Sequence, residues 1–368
     1  MPVPFVDLGS QYQALRKEID QSIERVLTRS NFIMGDEVGA FEAAFAKMTG
    51  TRHAIALASG TDALSLAVQA IGIGPGDEVI TVPNTWISTA FAATHAGAKV
   101  VFVDIDPDTH QIDIGAMEAA ITPRTKAIIP VHLYGHPAPV DRIVEICRPQ
   151  DIFVIEDVAQ APLAECGGRK VGTIGDIGCF SFYPSKNLGC YGDGGAAITN
   201  NDEMAERIRV LANYGQPERY THTKIGWNSR LDTLQAGILL AKLDHLPEWN
   251  AMRRQHAATY DAALEGLPVK PSRAPKYGQS VFHLYVVELE QRNAAQEFLG
   301  SRGIMAQIHY PSPIHLQACY QDLNYKKGDL PIAETVMSNV LSLPMYPELT
   351  IVQIETVCAA MREFFEQS

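Results

Sequence analysis

One lysine is distinguished by its position directly after a buried segment. The run Ile177 to Tyr183 is apolar and aromatic and predicts a short strand, which Pro184 ends because proline fixes its own φ and restricts the preceding residue. Lys186 follows, and the glycines after it allow a ligand to come close. Charged residues are seldom buried without a partner. A desolvated amine can form a Schiff base with an aldehyde cofactor such as pyridoxal phosphate (PLP), whereas the alternative is a surface lysine in a turn.

A pair of carboxylates forms the second candidate. The apolar run Ile152 to Ile155 is typical of a strand buried on both faces, and it ends in Glu156 and Asp157. Open α/β sheets bind ligands at this edge of their strands. A carboxylate in that place can face a pyridine nitrogen and keep it protonated, so that the ring accepts electrons. The alternative for Asp157 is a helix N-cap or a surface acid.

Three longer segments carry a resemblance to a known family. They are DVAQAP at 157–162, GDIGCFSFYPSKNLGCYGDGGA at 175–196 and NSRLDTLQA at 228–236. In this order they resemble the DegT/DnrJ/EryC1/StrS family of PLP-dependent nucleotide-sugar aminotransferases, and the resemblance extends from PFVDL at 4–8 to the C-terminus. It implies the fold type I architecture, an α/β large domain with a mostly parallel sheet flanked by helices and a smaller C-terminal α+β domain.

The order of the predicted elements supports that fold class. Strands and helices alternate from residue 54 to 199, which indicates a largely parallel sheet with helices on both faces. We expect a large PLP-binding domain over residues 1–248 and a small domain over 249–368. Apolar spacing predicts one amphipathic helix from Tyr12 to Arg29. Strands are predicted at Ser280–Leu289 and Met305–Tyr310 in the small domain.

The start of a predicted helix is the candidate phosphate site. Gly60 and Thr61 follow a short strand, and backbone N–H groups at a helix N-terminus bind anions. Simple N-capping is the alternative for this segment. The resemblance favours the PLP phosphate and adds the hydroxyl of Ser181, which is otherwise an ordinary strand serine. It also implies that Asn228 touches the phosphate of a neighbouring subunit across a dimer interface.

Two further residues are assigned to the cofactor ring by the resemblance. Trp86 lies where family members carry an aromatic residue that stacks on the pyridine ring, although a half-buried core tryptophan is the alternative. Gln160 lies three residues after Asp157, and in the family this glutamine lies against the ring hydroxyl.

Substrate contacts are predicted in three places. The loop 215–226 is long, polar and without periodicity, which is typical of functional or mobile segments or of a solvated surface. Its candidate ligands for the substrate diphosphate are Arg219, Tyr220 and Lys224. Arg230 is a candidate for the donor carboxylate, which a guanidinium matches, or an interface ion pair. The candidates for the sugar side are Tyr183, His309 and Tyr310, with a structural histidine and tyrosine as the alternative for the last two.

The composition excludes several other classes of protein. The net charge of −12 argues against non-specific nucleic-acid binding. Six scattered cysteines without a CxxC motif argue against a structural zinc or iron–sulfur site and suit a reducing cytoplasm. The N-terminal residues do not resemble a signal peptide, and no apolar run approaches the ~20 residues needed to span a bilayer.

The resemblance therefore implies an aminotransferase of deoxyamino-sugar biosynthesis. Lys186 would hold PLP and then move the proton, L-glutamate would be the amino donor, and a homodimer with shared active sites would be the working form. The segments FYPSKN, GWNSRLD and IHYP most resemble members acting on dTDP-linked 3-keto-6-deoxyhexoses. The alternatives are a UDP- or dTDP-linked 4-keto sugar, a UDP-linked 3-keto sugar, a PLP-dependent sugar dehydratase, or a non-enzymatic regulator.

Overall fold

The computed structural model describes residues 2–367. The helices are α1 Leu8–Ala14, α2 Arg16–Arg29, α3 Asp36–Thr49, α4 Gly60–Ala70, α5 Ser88–His95, α6 Ile114–Ala120, α7 Val140–Cys147, α8 Asp202–Ala212, α9 Thr233–Leu243, α10 Leu246–Ala263, α11 Arg292–Ser301, α12 Pro331–Asn339 and α13 Ile351–Gln367. The strands are β1 His53–Leu57, β2 Glu78–Thr81, β3 Lys99–Phe102, β4 Thr125–Ile128, β5 Phe153–Asp157, β6 Glu165–Cys166, β7 Arg169–Lys170, β8 Ile177–Ser181, β9 Gly195–Thr199, β10 Lys270–Pro271, β11 Gly278–Gln279, β12 Tyr285–Glu288 and β13 Val340–Leu343. Within residues 2–367, no helix has the combination of length and apolar character that crossing a bilayer requires.

A seven-stranded sheet organises the larger part of the fold. Its strand order is β1-β9-β8-β5-β4-β2-β3. Strand β9 pairs antiparallel with both of its neighbours, and the other six strands run in one direction. Parallel neighbours require crossover connections, which the helices between these strands provide. The α/β class and the mostly parallel sheet expected from the sequence are thus confirmed.

The two faces of this sheet contribute to separate hydrophobic cores. In β5, the buried side chain of Val154 belongs to one core and that of Ile155 to the other. Phe45 of α3 packs on the first face, with its ring centroid 5.0 Å from that of Phe180 in an edge contact. Helix α4 packs on the second face. Because both faces are covered, the central strands read as continuous apolar runs in the sequence.

A second unit is built on the antiparallel sheet β10-β12-β13. Its core includes Leu299 of α11 and Met361 of α13, both fully buried. Val3 belongs to the same core and forms a parallel bridge with Ile304. The N-terminal segment therefore packs on this second unit, while the domain boundary at 248/249 stays a prediction.

The predicted helix Tyr12–Arg29 is divided in the structure. Asp7 caps α1 by accepting a hydrogen bond from the backbone N–H of Ser10 at 2.9 Å. The helical dihedral angles are interrupted at Leu15, where α1 ends and α2 begins. Leu15 remains buried despite the break. Apolar spacing alone does not reveal such an interruption, because the buried face continues through it.

The strand predicted at Met305–Tyr310 is wrong. Within the described residues, Gln307 forms only an isolated bridge, to Ser342, and the chain then turns towards the large sheet. The strand predicted at Ser280–Leu289 is shorter, since β12 covers Tyr285–Glu288. The backbone before β12 forms hydrogen bonds outside this sheet, since Val281 N donates to Gly135 O at 3.0 Å. Before β12, contacts with the large unit replace sheet pairing. In the segment 305–310, Met305 and Gln307 bind Val3 and Ser342 of the second unit, and the His309 carbonyl and the Tyr310 hydroxyl reach the large unit.

Candidate active site

Four strands that run in the same direction bring the candidate residues to one edge of the large sheet. Strand β1 leads to Gly60, β2 leads to Trp86, β5 ends at Asp157, and β8 leads to Lys186. The carboxyl ends of parallel strands are the usual ligand-binding edge of such sheets. Side chains more than a hundred residues apart in the chain are therefore gathered in one place by the sheet topology.

Asp157 is a buried carboxylate with two hydrogen-bond donors. Only 5% of the residue is exposed. The Thr89 hydroxyl donates to Oδ2 at 2.7 Å, and Ala159 N donates to Oδ1 at 3.1 Å. Burial raises the pKa of Asp157, and these hydrogen bonds together with the nearby Lys186 charge oppose that rise. Thr89 is absent from the sequence prediction, although it lies one helical turn after Trp86.

Lys186 lies in a tight turn after β8. Its backbone N–H donates to the carbonyl of Tyr183 at 2.8 Å. A side chain at Gly189 would meet the carbonyl oxygen of Pro184 at 2.3 Å, so the turn requires glycine there. Burial lowers the pKa of Lys186 to about 8, although the Asp157 carboxylate opposes this shift. Among residues 2–367, the Lys186 amine has no hydrogen-bond or ion-pair partner, so it is available to react.

The start of α4 approaches the end of β8 closely. A Cβ atom on Gly60 would lie 2.7 Å from the Cβ of Ser181, so that only glycine fits. The side chain of Ser59 caps the helix by accepting from Asp62 N at 3.1 Å. The Thr61 hydroxyl lies 2.7 Å from Oγ of Ser88. Hydroxyl groups and a helix N-terminus thus converge in a set of donors that fits a phosphate.

Residues of the second unit reach the Asp157 segment. Gln160 accepts a hydrogen bond from Tyr134 N at 2.6 Å, and its Nε2 donates to the Tyr310 hydroxyl at 3.1 Å. The rings of Trp86 and Tyr310 are 5.6 Å apart between centroids. The Tyr134 hydroxyl donates to the carbonyl of His309 at 2.9 Å. Tyr310, predicted at the sugar side, therefore lies among the residues predicted to bind the cofactor ring.

His309 and Tyr183 differ in how firmly they are held. His309 Nδ1 lies 2.9 Å from Oγ of Ser342, and its ring stacks on Phe5 with 5.6 Å between centroids. Burial, with a contribution from the Lys186 charge, lowers the pKa of His309 to about 4, so the imidazole is neutral at physiological pH. Tyr183 is 55% exposed, and its side chain is free to meet a ligand.

The remaining predicted ligands lie on an exposed segment that the structure does not connect to Lys186. This group contains Arg219, Tyr220, Lys224, Asn228 and Arg230. The Arg219 guanidinium lies 4.9 Å from the centre of the Tyr220 ring, and that of Arg230 lies 5.6 Å from the Tyr214 ring. Within the described residues, Asn228 contributes only a backbone bridge, to Asn213. Their roles stay predictions.

Comparison with known sequences assigns the class. The sequence profile of the DegT/DnrJ/EryC1/StrS aminotransferase family matches residues 13–362. The chain is 46% identical to the pleiotropic regulatory protein of Geobacillus stearothermophilus, over 99% of each chain. It is 45% identical to the dTDP-3-amino-3,4,6-trideoxy-alpha-D-glucose transaminase of Streptomyces venezuelae, over 99% of this chain and 97% of the relative. Identity is also 45% to the UDP-N-acetyl-3-dehydro-alpha-D-glucosamine 3-aminotransferase of Acidithiobacillus ferrooxidans, over 98% and 97%.

Solved structures agree with this assignment. The structure of S. venezuelae DesV in complex with a ketimine intermediate superposes with a TM-score of 0.97 at 44% identity, covering 100% of this chain and 99% of that one. NtdA from Bacillus subtilis with bound cofactor PMP has a TM-score of 0.92 at 30% identity, covering 100% and 86%. The chain belongs to the DegT/DnrJ/EryC1/StrS aminotransferase family.

Proposed function

We propose that this protein is a PLP-dependent aminotransferase that converts a nucleotide-linked 3-keto sugar into the corresponding amino sugar. The observation that carries the proposal is the pairing of Lys186, whose pKa is lowered to about 8, with the buried Asp157 at one sheet edge. A reactive amine and a buried carboxylate in one cleft are the two protein groups that PLP chemistry requires.

The residues at this edge fit PLP in size and chemistry. Gly60 and Ser181 approach each other closely. The backbone N–H groups at the start of α4 and the hydroxyls of Thr61 and Ser181 can therefore bind a phosphate. Asp157 would hold the pyridine nitrogen, and the exposed ring of Trp86 would cover one face of the cofactor. When bound, PLP supplies an electron sink for the carbanion that forms as the donor loses a proton.

Lys186 performs the acid–base work in this proposal. With a pKa of about 8, a substantial share of its side chains is neutral at physiological pH and can act as nucleophile. The same amine takes the proton from Cα of the amino donor, which we expect to be L-glutamate, and later delivers a proton to the sugar carbon. Asp157 acts as a carboxylate in this proposal, and the hydrogen bonds from Thr89 and Ala159 favour that form against the effect of burial.

The names of two relatives support carbon 3 as the aminated position. The relative from S. venezuelae is named for a dTDP-linked 3-amino sugar, and that from A. ferrooxidans for a UDP-linked 3-dehydro sugar. The two are equally similar to this chain at 45% identity. We favour a dTDP-linked 3-keto-6-deoxyhexose, with a UDP-linked 3-keto sugar or a 4-keto sugar as the alternatives.

Product identification tests this proposal directly. The purified protein, loaded with PLP, is incubated with L-glutamate and, separately, with dTDP-linked 3-keto, dTDP-linked 4-keto and UDP-linked 3-keto sugars. We expect a nucleotide amino sugar from the dTDP-linked 3-keto substrate, detected by mass spectrometry, and none with the variant K186A. Turnover of the 4-keto sugar alone would contradict the choice of carbon 3.

A regulatory role is the second candidate, because the G. stearothermophilus relative is named a pleiotropic regulatory protein. Lys186 and Asp157 argue for catalysis, since a binding role alone needs neither a reactive amine nor a carboxylate against the ring nitrogen. Amino transfer to a simple keto acid separates the two candidates. A protein that binds PLP but transfers no amino group to any ketone would support regulation.

We also propose a homodimer. Large apolar side chains are exposed on adjoining segments, namely Phe32, Ile33, Met34, Tyr214 and Trp227. These segments adjoin because Thr233 N donates to Phe32 O at 3.0 Å, and Tyr214 N donates to Trp227 O at 2.8 Å. Met34 also lines a groove of about 670 Å³ together with Arg230. A second copy covering this surface would bury the patch and bring Asn228 to a neighbouring site.

The cytoplasm is the compartment that we propose. All six cysteines are unpaired in the structure, and five of them are buried. Free thiols persist in reducing compartments, where disulfides are rare.

A further inference from the structure

A chain of three side chains connects the Lys186 turn to helix α10. His283 Nδ1 lies 3.0 Å from Oδ1 of Asn187, the residue directly after Lys186. Asn187 Nδ2 donates to Oδ1 of Asn250 at 2.8 Å and to the carbonyl of Val281 at 3.2 Å. Asn250 Nδ2 donates in turn to the carbonyl of Pro162 at 2.9 Å. All of these residues, Pro162 included, are buried, and they lie at the interface between the two units.

The two backbone carbonyls determine which nitrogen of His283 carries the proton. A carbonyl only accepts, so Val281 and Pro162 orient the amide groups of Asn187 and Asn250 with Nδ2 towards them. Oδ1 of Asn187 therefore faces His283 and accepts from it. The proton of His283 lies on Nδ1, which leaves the lone pair on Nε2.

The Nε2 atom of His283 is left open by these contacts. Among residues 2–367 it has no hydrogen-bond partner, yet it is not enclosed as the unpartnered Nδ1 atoms of His110 and His315 are. The residue itself is buried, with 7% exposed. Burial, together with the positive charges of Lys186 and Arg253, keeps the pKa of His283 well below its ordinary value. The ring is therefore neutral, and its Nε2 lone pair can accept a hydrogen bond.

The backbone of His283 is held on two sides. Arg253 Nη1 donates to the carbonyls of Phe282 and His283 at 3.3 and 3.2 Å, and also to that of Met345 at 3.0 Å. On the other side Gly135 has a φ of +92°, and a Cβ atom there would lie 2.7 Å from His283 N. The position of the His283 ring is therefore restricted. A residue that orients another side chain needs such a restriction.

We propose that His283 is a positioning residue for Lys186, with Nδ1–H anchored through Asn187 to Asn250 and Nε2 presented as a hydrogen-bond acceptor to the Lys186 amine. Asn250 binds both Asn187, in the turn that carries Lys186, and the carbonyl of Pro162, in the segment that begins at Asp157. These hydrogen bonds therefore also set the distance between Lys186 and Asp157. This inference rests on the proposed aminotransferase function, and it adds a residue that orients the lysine between its two proton transfers.

Two substitutions distinguish the roles of the two ring nitrogens of His283. H283N keeps a donor in the place of Nδ1 and lacks the acceptor at Nε2, whereas H283Q offers an oxygen near the place of Nε2 and lacks the donor to Asn187. Competitive acylation of the cofactor-free protein, read by mass spectrometry over a range of pH, reports the pKa of Lys186. Because an acceptor stabilises the ammonium form, we expect a lower pKa of Lys186 in H283N than in H283Q.

The donor half-reaction provides the second readout. We expect H283N to slow the L-glutamate-driven loss of the visible cofactor band about tenfold, which corresponds to the loss of one charge-assisted hydrogen bond, and H283Q to slow it about threefold. Equal effects of both variants, tracking a shared loss of thermal stability and leaving the pKa of Lys186 unchanged, would overturn the proposal. A wild-type protein without a visible band would instead overturn the proposed function, so the two failures are distinguishable.

Discussion

The Thr89 hydroxyl donates a 2.7 Å hydrogen bond to Oδ2 of Asp157, which links the segment after β2 to the end of β5. Asp157 is buried, and burial alone favours the protonated acid. The Thr89 bond acts in the opposite direction and favours the carboxylate. Whether Asp157 can hold a protonated pyridine nitrogen therefore depends partly on a neighbour that has no charge of its own.

Replacing Thr89 by valine tests this relationship. T89V keeps the shape of the side chain but removes the donor, so the pKa of Asp157 rises further and the carboxylate is lost sooner as the pH falls. We expect PLP to bind about fivefold to tenfold more weakly, since one hydrogen bond to a charged group is lost. The difference from the wild type should widen at acidic pH in a spectroscopic titration. T89S retains the hydroxyl and serves as control; identical affinities for T89V and T89S would refute the role of the bond.

Glu156 and Asp157 are neighbours in β5 with opposite roles. Glu156 accepts hydrogen bonds from four groups, which are Gly172 N at 2.7 Å, Ile174 N at 2.9 Å, Gly175 N at 2.7 Å and His132 Nε2 at 3.0 Å. Its side chain is fully buried on the opposite side of the strand from Asp157. The Glu156 carboxylate therefore holds the 172–175 turn against the sheet.

The two amide substitutions should consequently have different effects. We expect E156Q to lower the free energy of unfolding by about 2–4 kcal/mol, because an amide N–H replaces an acceptor facing backbone N–H groups. D157N should leave stability nearly unchanged and slow the donor half-reaction roughly 100-fold or more. Urea unfolding and stopped-flow absorbance measure the two effects. If E156Q is as stable as the wild type, Glu156 does not hold the turn.

Part of the fold around Asp157 and Lys186 can be predicted from the sequence. The apolar runs before Asp157 and Lys186 predict their strands, because a sheet covered on both faces needs continuous apolar side chains. The family resemblance adds the roles of these two residues. The Thr89–Asp157 and His283–Asn187 contacts join residues 68 and 96 positions apart, and no local pattern marks such pairs. The segment after Met305 likewise reads as a strand, although only Gln307 pairs with β13 and the His309 carbonyl and the Tyr310 hydroxyl bind to the large unit.

The lowered pKa of Lys186 predicts a pH-dependent cost in stability. In the folded protein the pKa is about 8, below the ordinary lysine value of about 10.4. Folding therefore disfavours the ammonium form, so stability falls as the pH drops from about 10 to about 8, and the full cost is present below pH 8. We expect cofactor-free K186M to exceed the wild type by about 1–3 kcal/mol at neutral pH and to match it near pH 10.

Urea unfolding at both pH values measures this difference. K17M, at an exposed lysine of α2, provides the control and should change stability equally at the two pH values. A K186M effect that is also independent of pH would mean that Lys186 is not desolvated in the folded protein.

The proposed homodimer predicts complementation between inactive chains. K186A lacks the amine, and N228A lacks the amide that is predicted to reach the neighbouring site. If sites are shared between subunits, a heterodimer of the two variants has one site with both residues intact. We expect mixed and exchanged chains to recover up to about one quarter of wild-type activity, since half of the dimers are mixed and each has one complete site of two. Exchange without recovery would contradict the shared site.

The visible absorption spectrum of the purified protein, before and after addition of L-glutamate, shows whether Lys186 binds PLP and whether the cofactor accepts an amino group. We expect a band from PLP bound to Lys186 that bleaches as the amino group is transferred to the cofactor, and no such band in K186M. A band that persists with every amino donor would contradict the assignment as an aminotransferase. Absence of a band after addition of PLP would contradict the role given to Lys186.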